Sequence, residues 1–564
     1  MKIVIVAAGL ATRLRPITNY IPKILVNVGK NTGLVEIVNC WLDAKRHLRA
    51  DEVTGFKIVI HSKFQSLVEA YWSLYFPNVE MQTIVYDESP GTAKTIHDVA
   101  QRPEMADILN DEVVFSWCDV YPGDTSFAFA GGDKKTHCRT HITAVTADTD
   151  NRYDLRDGRF VQCKNGGNVI GIYHFSHGFK PELIANYSPG DDFVEALNRA
   201  PTELVAPSIG SLHLGENVND FGDKPKLTSL IERLNDGARE FNSLTFYDCP
   251  ALVHKRATNA QGRGLIGREI KWYATLNRLC WSAAGRPTPY VPKIFTSPDN
   301  DEFYLQRLNA VPLYKAFETL QPNEHERLIL ACHAEIKKLH DLDVRQVSME
   351  AALADVTAEV LNKLTNRCDE ISKVLAAFGD VTHVNGVDVL DTAEAIQTLQ
   401  TFIHQHLTGK ATTDGHVEYT FIHGDTQFSN CMLDTDGRVA IIDPRGYFGG
   451  TYCYGLPEYD FSKMLYSLSG YDAFNNSADF HLAHVGNGEV FFELPKPELF
   501  FDASTIFEPI HYAWLAVHWI GLAQYIKNNP VKSFAALCHG RYLATLFKQR
   551  VIDRPNIHSL GDLI

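Results

Sequence analysis

The chain has 564 residues, more than the ~250–300 that one hydrophobic core sustains, so at least two domains are expected. Hydrophobic residues make up 45% and charged residues 21%, an ordinary globular balance, while a formal charge of −15 argues against nonspecific nucleic-acid or anionic-membrane binding, which need basic surface. No apolar run approaches the ~20 residues of a membrane span and no signal-peptide pattern opens the sequence. Eleven scattered cysteines, odd in number and without a C-x-x-C, point to a reducing cytoplasm.

Residues 1–235 alternate strand and helix patterns. Strands are expected at Ile3–Ala7, Lys57–His61, Val113–Ser116 and His141–Thr146, with helices near Val35–Ala44 and Phe64–Tyr75. This alternation predicts a mostly parallel sheet wrapped by helices. The first strand breaks into a small-residue loop, Ala8-Gly9-Leu10-Ala11-Thr12-Arg13, with Pro22-Lys23 beyond it. A first strand feeding such a turn is where α/β folds cradle phosphates on backbone N–H groups. No G-K-[ST] follows, so the loop is not a Walker A.

This opening resembles the sugar-phosphate nucleotidyltransferases, which read A-A-G-x-G-T-R-L-x-P-x-T and then P-K; Ala11 stands where the family has its second Gly. The resemblance continues in order through Gly91-Thr92-Ala93, the base-recognition turn, Asp119 after Val113–Cys118, and Asp220 in Asn219-Asp220-Phe221-Gly222. It implies an α/β domain with a Rossmann-like mixed sheet and helices on both faces. It also implies nucleotide contacts from Ala8, Gly9, Gly91 and Thr92, stabilisation of the pyrophosphate leaving group by Arg13 and Lys23, and Mg²⁺ held by Asp119 and Asp220. Where the family has an E-K-P stretch shortly before G-I-Y, this chain reads Val161-Gln162-Cys163-Lys164 and then Gly171-Ile172-Tyr173. Lys164 and Gly171 are therefore the expected substrate contacts, with the sugar-binding Glu missing.

His137-Cys138-Arg139-Thr140-His141 lacks a second ligand pair and reads as solvated loop, not zinc. The charged stretch Glu232–Glu240 is the expected junction, a short packed connection between residues 1–238 and 239–564.

Beyond it, Ala251–Ala257 reads as a strand presenting Lys255 and Arg268–Leu276 as a helix presenting Glu269, the pairing a kinase uses at ATP phosphates. The cluster Gly262, Gly264 and Gly267 reads as a strand-to-helix turn. Val291–Phe295 and Glu302–Leu308 resemble the later small-lobe strands (about 241–310) of the aminoglycoside phosphotransferase and choline kinase family, a resemblance that implies an adenine-binding hinge at Gln306 to Leu308. A helical large lobe (about 311–564) follows, with His333 and His340 on the amphipathic helix Arg327–His340 expected in its core.

Phe421-Ile-His-Gly-Asp425-Thr-Gln-Phe-Ser-Asn430 and Ile442-Asp443 complete the set. Asp425 and Asn430 have the D-x-x-x-x-N spacing in which the Asp accepts the substrate hydroxyl proton and the Asn holds magnesium, and Asp443 ends an apolar run from which a second carboxylate can reach metal bridging the ATP phosphates. This resembles the aminoglycoside phosphotransferase and choline kinase family, and implies an α+β, protein-kinase-like two-lobed domain using ATP and Mg²⁺. Asp460, with Tyr466, Trp514 and Trp519, is the candidate cation-friendly acceptor pocket.

A kinase makes X-phosphate and a nucleotidyltransferase converts it, with CTP, UTP or GTP, to NDP-X and pyrophosphate. The expected function is this pair in one chain, with X an amino-alcohol or a sugar and the product feeding surface polysaccharide or headgroup synthesis. Small molecules are the expected partners, with no nucleic acid and no membrane; homo-oligomerisation is open. The competing readings are a scaffolding protein with one inactive domain and an antibiotic-type phosphotransferase fused to an unrelated activity.

Overall fold

The computed structural model describes residues 1–553 except 89–90, 122, 124–125, 130–138, 206–207, 216–217, 235–240, 283–284, 286, 297–300, 478–479 and 495–505. His137 and Cys138, and the junction from residue 235 to 240, lie outside the described residues. The chain divides into two compact units, Met1–Asn235 with Lys373–Phe378 and Asn528–Pro530, and the remainder.

The first unit is built on a seven-stranded sheet. Its strands are β1 (Lys2–Ala7), β2 (Gly55–Ile60), β3 (Met81–Val85), β4 (Val113–Trp117), β6 (Ile142–Arg156), β7 (Arg159–Phe175) and β8 (Gly210–His213), and a two-stranded ladder pairs β5 (Val120–Tyr121) with β9 (Asn219–Asp220). The spatial order is β3-β2-β1-β4-β7-β6-β8, with β1, β2, β3 and β4 mutually parallel and β7 antiparallel to both β4 and β6. Ile3, Val4, Ile5, Ile58, Val113 and Val114 are buried, as strands covered on both faces require. Helices α1 (Gly33–Leu42), α2 (Gln65–Tyr75) and α3 (Thr92–Ala100) follow β1, β2 and β3. The sheet is more mixed than the strand–helix alternation suggests, because β6 and β7 form one long hairpin where the sequence indicated only a short strand at His141–Thr146.

In the second unit, β10 (Asn242–Asp248), β11 (Ala251–Ala257), β12 (Ile294–Thr296) and β13 (Glu302–Gln306) form a sheet of order β10-β11-β13-β12, flanked by the long helix Ala260–Ser282. The remainder is mainly helical, with short sheets at Val344–Ser348, His416–Phe421 and Tyr454–Gly455 and at Ala310–Pro312, Cys431–Asp434 and Val439–Ile441. Gly262, Gly264 and Gly267 lie inside the helix Ala260–Ser282, not in a turn before it. Gly262 is required there: a Cβ would sit 1.9 Å from the Phe241 carbonyl oxygen, and its N–H donates to Asn259 Oδ1 at 2.8 Å. Ala513–Ala523 is buried throughout as a core helix, and no described helix is long and apolar enough to cross a membrane.

Glu112, just before the central strand β4, ties one end of the first sheet. Its carboxylate accepts from Arg49 Nη1 at 2.7 Å and Nη2 at 2.8 Å and from His174 Nε2 at 2.6 Å. Burial opposes the charge, but the His174 and Arg49 bonds outweigh it and hold the pKa at about 2. The ionised form therefore stabilises the fold above the unfolded carboxylate range, and the contribution is lost as pH falls from the ordinary ~4.3 towards 2. Glu112→Gln should cost about 1–3 kcal/mol at pH 7. Thermal unfolding of both proteins across pH 7 to 2.5 checks this: the gap in midpoint should close on acidification, and a pH-independent gap would refute the charged role.

Candidate active sites

In the first unit, a cavity of about 540 Å³ opens at the carboxyl ends of β1 and β4, the position at which parallel sheets bind ligands. Ala8, Gly9, Ala11, Arg13, Lys23, Gly91, Thr92, Asp119, Gly171 and Asp220 all line it. Ala11 has φ 47° and ψ 46°, the left-handed conformation that Gly adopts freely and that costs a side-chain-bearing residue roughly 1–2 kcal/mol. Its carbonyl is fixed by the Thr18 hydroxyl at 2.8 Å and the Leu14 N–H at 3.0 Å. The loop thus keeps a glycine-type turn without the glycine. Gly91, at φ 127°, opens α3, and Thr92 accepts from the Phe193 N–H at 2.8 Å, so this turn is clamped against the far wall. Gly171 has no alternative: at φ 82° a Cβ would lie 2.6 Å from the Trp117 ring.

The two acidic residues converge because β5 and β9 pair with Val120 opposite Asp220. A Cβ built on Gly222 would lie 2.7 Å from Asp220 Oδ1, 3.1 Å from Asp119 Oδ2 and 3.2 Å from Lys23 Nζ, so three charged groups surround one small space kept clear by a glycine. Lys23 Nζ pairs with Asp119 and Lys226 Nζ with Asp220 at 2.8 Å. Burial pulls the Lys23 pKa down, but Asp119 overcomes it and holds the ammonium above its usual value. Two carboxylates around a cradle that a methyl group would fill suit a hard, oxygen-seeking cation that takes its remaining ligands from phosphate and water.

Lys164 does not join this site. It is exposed on β7 and is not among the residues lining the cavity, because the long β6–β7 hairpin carries it away. The additional cations at the wall are Arg152, paired with Asp192 at 3.1 Å, and Lys226. Lys226 lies six residues after Asp220 at the start of a helix, an offset with no motif to mark it.

In the second unit, Lys255 on β11 is buried between two carboxylates, Glu269 Oε2 at 2.6 Å and Asp443 Oδ1 at 2.5 Å. Burial would lower its pKa, but the two anions, Asp443 first, hold it above the ordinary lysine value. The strands Cys431–Asp434 and Val439–Ile441 pair with Cys431 opposite Ile441, and the Ile442 N–H donates to the Asn430 carbonyl at 2.9 Å. That hairpin carries Asn430 alongside Asp443. Asn430 Nδ2 donates to the Asp425 carbonyl at 2.9 Å and to Asp425 Oδ2 at 3.1 Å. Asp443 has φ 59°, a left-handed conformation that a short polar residue tolerates. Asp443 and Asn430 supply two oxygen donors, the number Mg²⁺ takes from protein when phosphates fill the rest.

The loop is anchored from beneath. His423 Nε2 bonds the Ile442 carbonyl at 3.0 Å while Nδ1 accepts the Asp425 N–H at 3.2 Å, which requires the neutral ring; burial lowers its pKa accordingly. Asp460 is fully buried. Its Oδ1 accepts the Gly424 N–H at 2.6 Å, and its Oδ2 accepts the His423 N–H at 2.9 Å and His340 Nε2 at 3.0 Å. The geometry does not match the expectation that Asp460 binds substrate: both oxygens are bonded to the His423–Gly424 backbone and His340. Trp514 and Trp519 have no exposure and Tyr466 has 3%, so they are core and no cation box surrounds Asp460. His340 is a buried Asp460 partner, and His333 stacks on Phe461. At the expected hinge, the Gln306 N–H donates to the Lys293 carbonyl at 2.8 Å, and the Arg307 N–H to that of Ala251 at 3.0 Å, so neither N–H is open to adenine.

Residues 259–485 match the family model described as "Phosphotransferase enzyme family", which supports a transferase. Among curated proteins none matches the chain. Solved structures similar to its N-terminal part include a Bacillus anthracis protein described as a glucose-1-phosphate thymidylyltransferase in complex with a sucrose (17% identity, 42% of this chain and 97% of that one, TM-score 0.32). HddC from Yersinia pseudotuberculosis is 18% identical over 41% of this chain and 98% of its own (TM-score 0.29). A UDP-glucose pyrophosphorylase complexed with UDP-glucose is 17% identical over 42% of this chain and 97% of its own (TM-score 0.31).

Asp460→Asn keeps the shape but replaces one acceptor oxygen by a donor facing backbone N–H groups. It should lose about 1.5–3 kcal/mol, the scale of a hydrogen bond to a charged group, and lower phosphotransfer as the loop loosens. Chemical denaturation of the full chain beside ATP-dependent turnover tests this; unchanged stability would place the carboxylate outside the loop anchor.

Proposed function

We propose that the chain is a bifunctional enzyme that phosphorylates a small hydroxyl compound with ATP and then couples the resulting phosphate to a nucleoside triphosphate, releasing pyrophosphate. The observation that carries this reading is that each unit gathers its own set of charged and polar residues: Asp119, Asp220, Lys23 and Lys226 in one, Asp425, Asn430, Asp443 and Lys255 in the other. That argues against a scaffold with one inactive domain.

In the second unit, Asp425 accepts the proton of the acceptor hydroxyl as its oxygen attacks the terminal phosphorus of ATP, and Lys255, held by Glu269, orients the phosphates. Asp443 and Asn430 would hold Mg²⁺, which neutralises the phosphate charge when bound. In the first unit, the loop at Ala8–Arg13 wraps the triphosphate, and the phosphate of X attacks the α-phosphorus. Lys23 and Arg13 take up charge on the departing pyrophosphate. Asp119 and Asp220 would hold the Mg²⁺ of this half, and Lys226 and Arg152 are better placed than Lys164 to meet the incoming phosphate.

For X, burial of Asp460 and its aromatic neighbours removes the argument for a cationic acceptor and leaves a sugar ahead of an amino-alcohol. An NDP-sugar from CTP, UTP or GTP, used in surface polysaccharide synthesis in the cytoplasm, is the product this reading favours.

Asp425→Asn should abolish phosphorylation while leaving nucleotidyl transfer from supplied X-phosphate intact, and Gly222→Ala, which places a methyl group against both carboxylates, should do the reverse by ~10²-fold or more. Loss of both activities in either folded variant sinks the two-site reading. An acceptor panel of free sugars, choline and ethanolamine with ATP, CTP, UTP and GTP, read by mass spectrometry for NDP-X, should give its strongest product with a sugar; choline or ethanolamine as best acceptor would reverse the choice of X.

A further inference from the structure

The loop from Asp425 to Asn430 contains no cation of its own: its intervening residues are Thr426, Gln427, Phe428 and Ser429. A cation nevertheless reaches Asp425 from another element. Lys463 lies on the helix Pro457–Leu468, three residues after Asp460, and residues three apart share a helix face. The turn that fixes Asp460 under the loop backbone therefore delivers Lys463 to the loop's carboxylate, with Nζ 3.1 Å from Asp425 Oδ1. The Lys463 side chain is only 15% exposed and its ammonium lies 5.3 Å from the Tyr466 ring centre. Asp425 is thereby held at both oxygens, by Lys463 at Oδ1 and by Asn430 Nδ2 at Oδ2. Of the other cations of this region, Arg445 is committed to Glu359 and the Tyr459 hydroxyl, and Lys255 to Glu269 and Asp443.

Resting on the reading of Asp425 as proton acceptor, we propose that Lys463 is the catalytic cation of the phosphotransfer, meeting the oxygens of the phosphoryl group in flight. An acceptor hydroxyl must come within ~2.6–3.2 Å of Asp425 for its proton to move, and the phosphorus lies one bond length further along. An ammonium already at the Asp425 carboxylate reaches those oxygens by rotation of its last torsions. In the step, the hydroxyl proton passes to Asp425 and the acceptor oxygen bonds to the terminal phosphorus. The bond from that phosphorus to the bridging oxygen breaks, and its electron pair leaves with the nucleoside diphosphate. Negative charge on the three equatorial oxygens is what Lys463 offsets.

The test uses the full chain, Mg-ATP, and both the best acceptor from the panel and water, scored as ATP hydrolysis. Lys463→Met should lower kcat by ~10²-fold or more while moving the KM for ATP by less than about threefold, with an unchanged unfolding midpoint, and Lys463→Arg should recover at least roughly a tenth of the lost rate. Wild-type kcat in Lys463→Met, or an equal loss in both variants accompanied by a lower midpoint, overturns the assignment while leaving the kinase reading standing. A wild-type protein that neither phosphorylates any acceptor nor hydrolyses ATP overturns the kinase reading, and this inference with it.

Discussion

The buried carboxylate of Asp460 is the constraint on which the second unit's site depends. A charge with no solvent exposure is tolerated only when its oxygens are saturated with donors, and here the donors are two consecutive backbone N–H groups of the catalytic loop and His340. The cost of burying the charge is thus offset only if the loop adopts one conformation. From that follow the neutral His423, whose two ring nitrogens lock Ile442 to Asp425, and the placement of Asn430 beside Asp443. The active-site geometry is enforced from below, by groups that need never touch a substrate.

The first unit reaches a similar end by different means. Strand pairing organises this site, with β5 and β9 setting Asp119 and Asp220 side by side and Gly222 keeping the space between them open. Yet the two sites share a charge pattern. Each proposed proton acceptor or metal-binding aspartate is paired with a lysine: Asp119 with Lys23, Asp220 with Lys226, Asp443 with Lys255 and Asp425 with Lys463. Carboxylates gathered this closely repel one another, and lysines relieve that repulsion before any phosphate arrives. Under the proposed function, the metal-binding aspartates would hold Mg²⁺ and the lysines would meet the nucleotide phosphates.

The candidate motifs were legible because they are local. Ala8–Arg13, Asp425–Asn430 and Asp443 lie within short windows whose spacing reflects one turn or one hairpin, and the phosphotransferase family model covers the second set. What the sequence left out depends on tertiary register. Lys226 and Arg152 reach the first cavity only through a helix start and a hairpin whose length no local pattern reveals. Asp460 shows the opposite failure. An acidic residue among aromatics has the composition of a ligand pocket, but helical spacing turned it under the loop and turned Trp514 and Trp519 into core. Composition cannot distinguish a carboxylate that faces a ligand from one that faces backbone N–H groups.

That distinction bears on the acceptor. A cation-binding pocket needs anions and aromatic faces left open to solvent, whereas the groups around Asp425 are cationic or already committed. Lys463 holds the carboxylate itself, and Arg445, two residues after Asp443, is clamped by Glu359 while lying over Tyr447, 3.8 Å from its ring centre. A quaternary amine brought next to Asp425 would have to displace Lys463 or sit against it, a like-charge contact with little solvent to screen it. A neutral hydroxyl meets no such penalty and can donate to Asp425 while the lysine turns to the phosphate. Under the proposed function, the electrostatics of the loop therefore favour an uncharged hydroxyl donor at the point of attack, with any charge carried by X placed away from it.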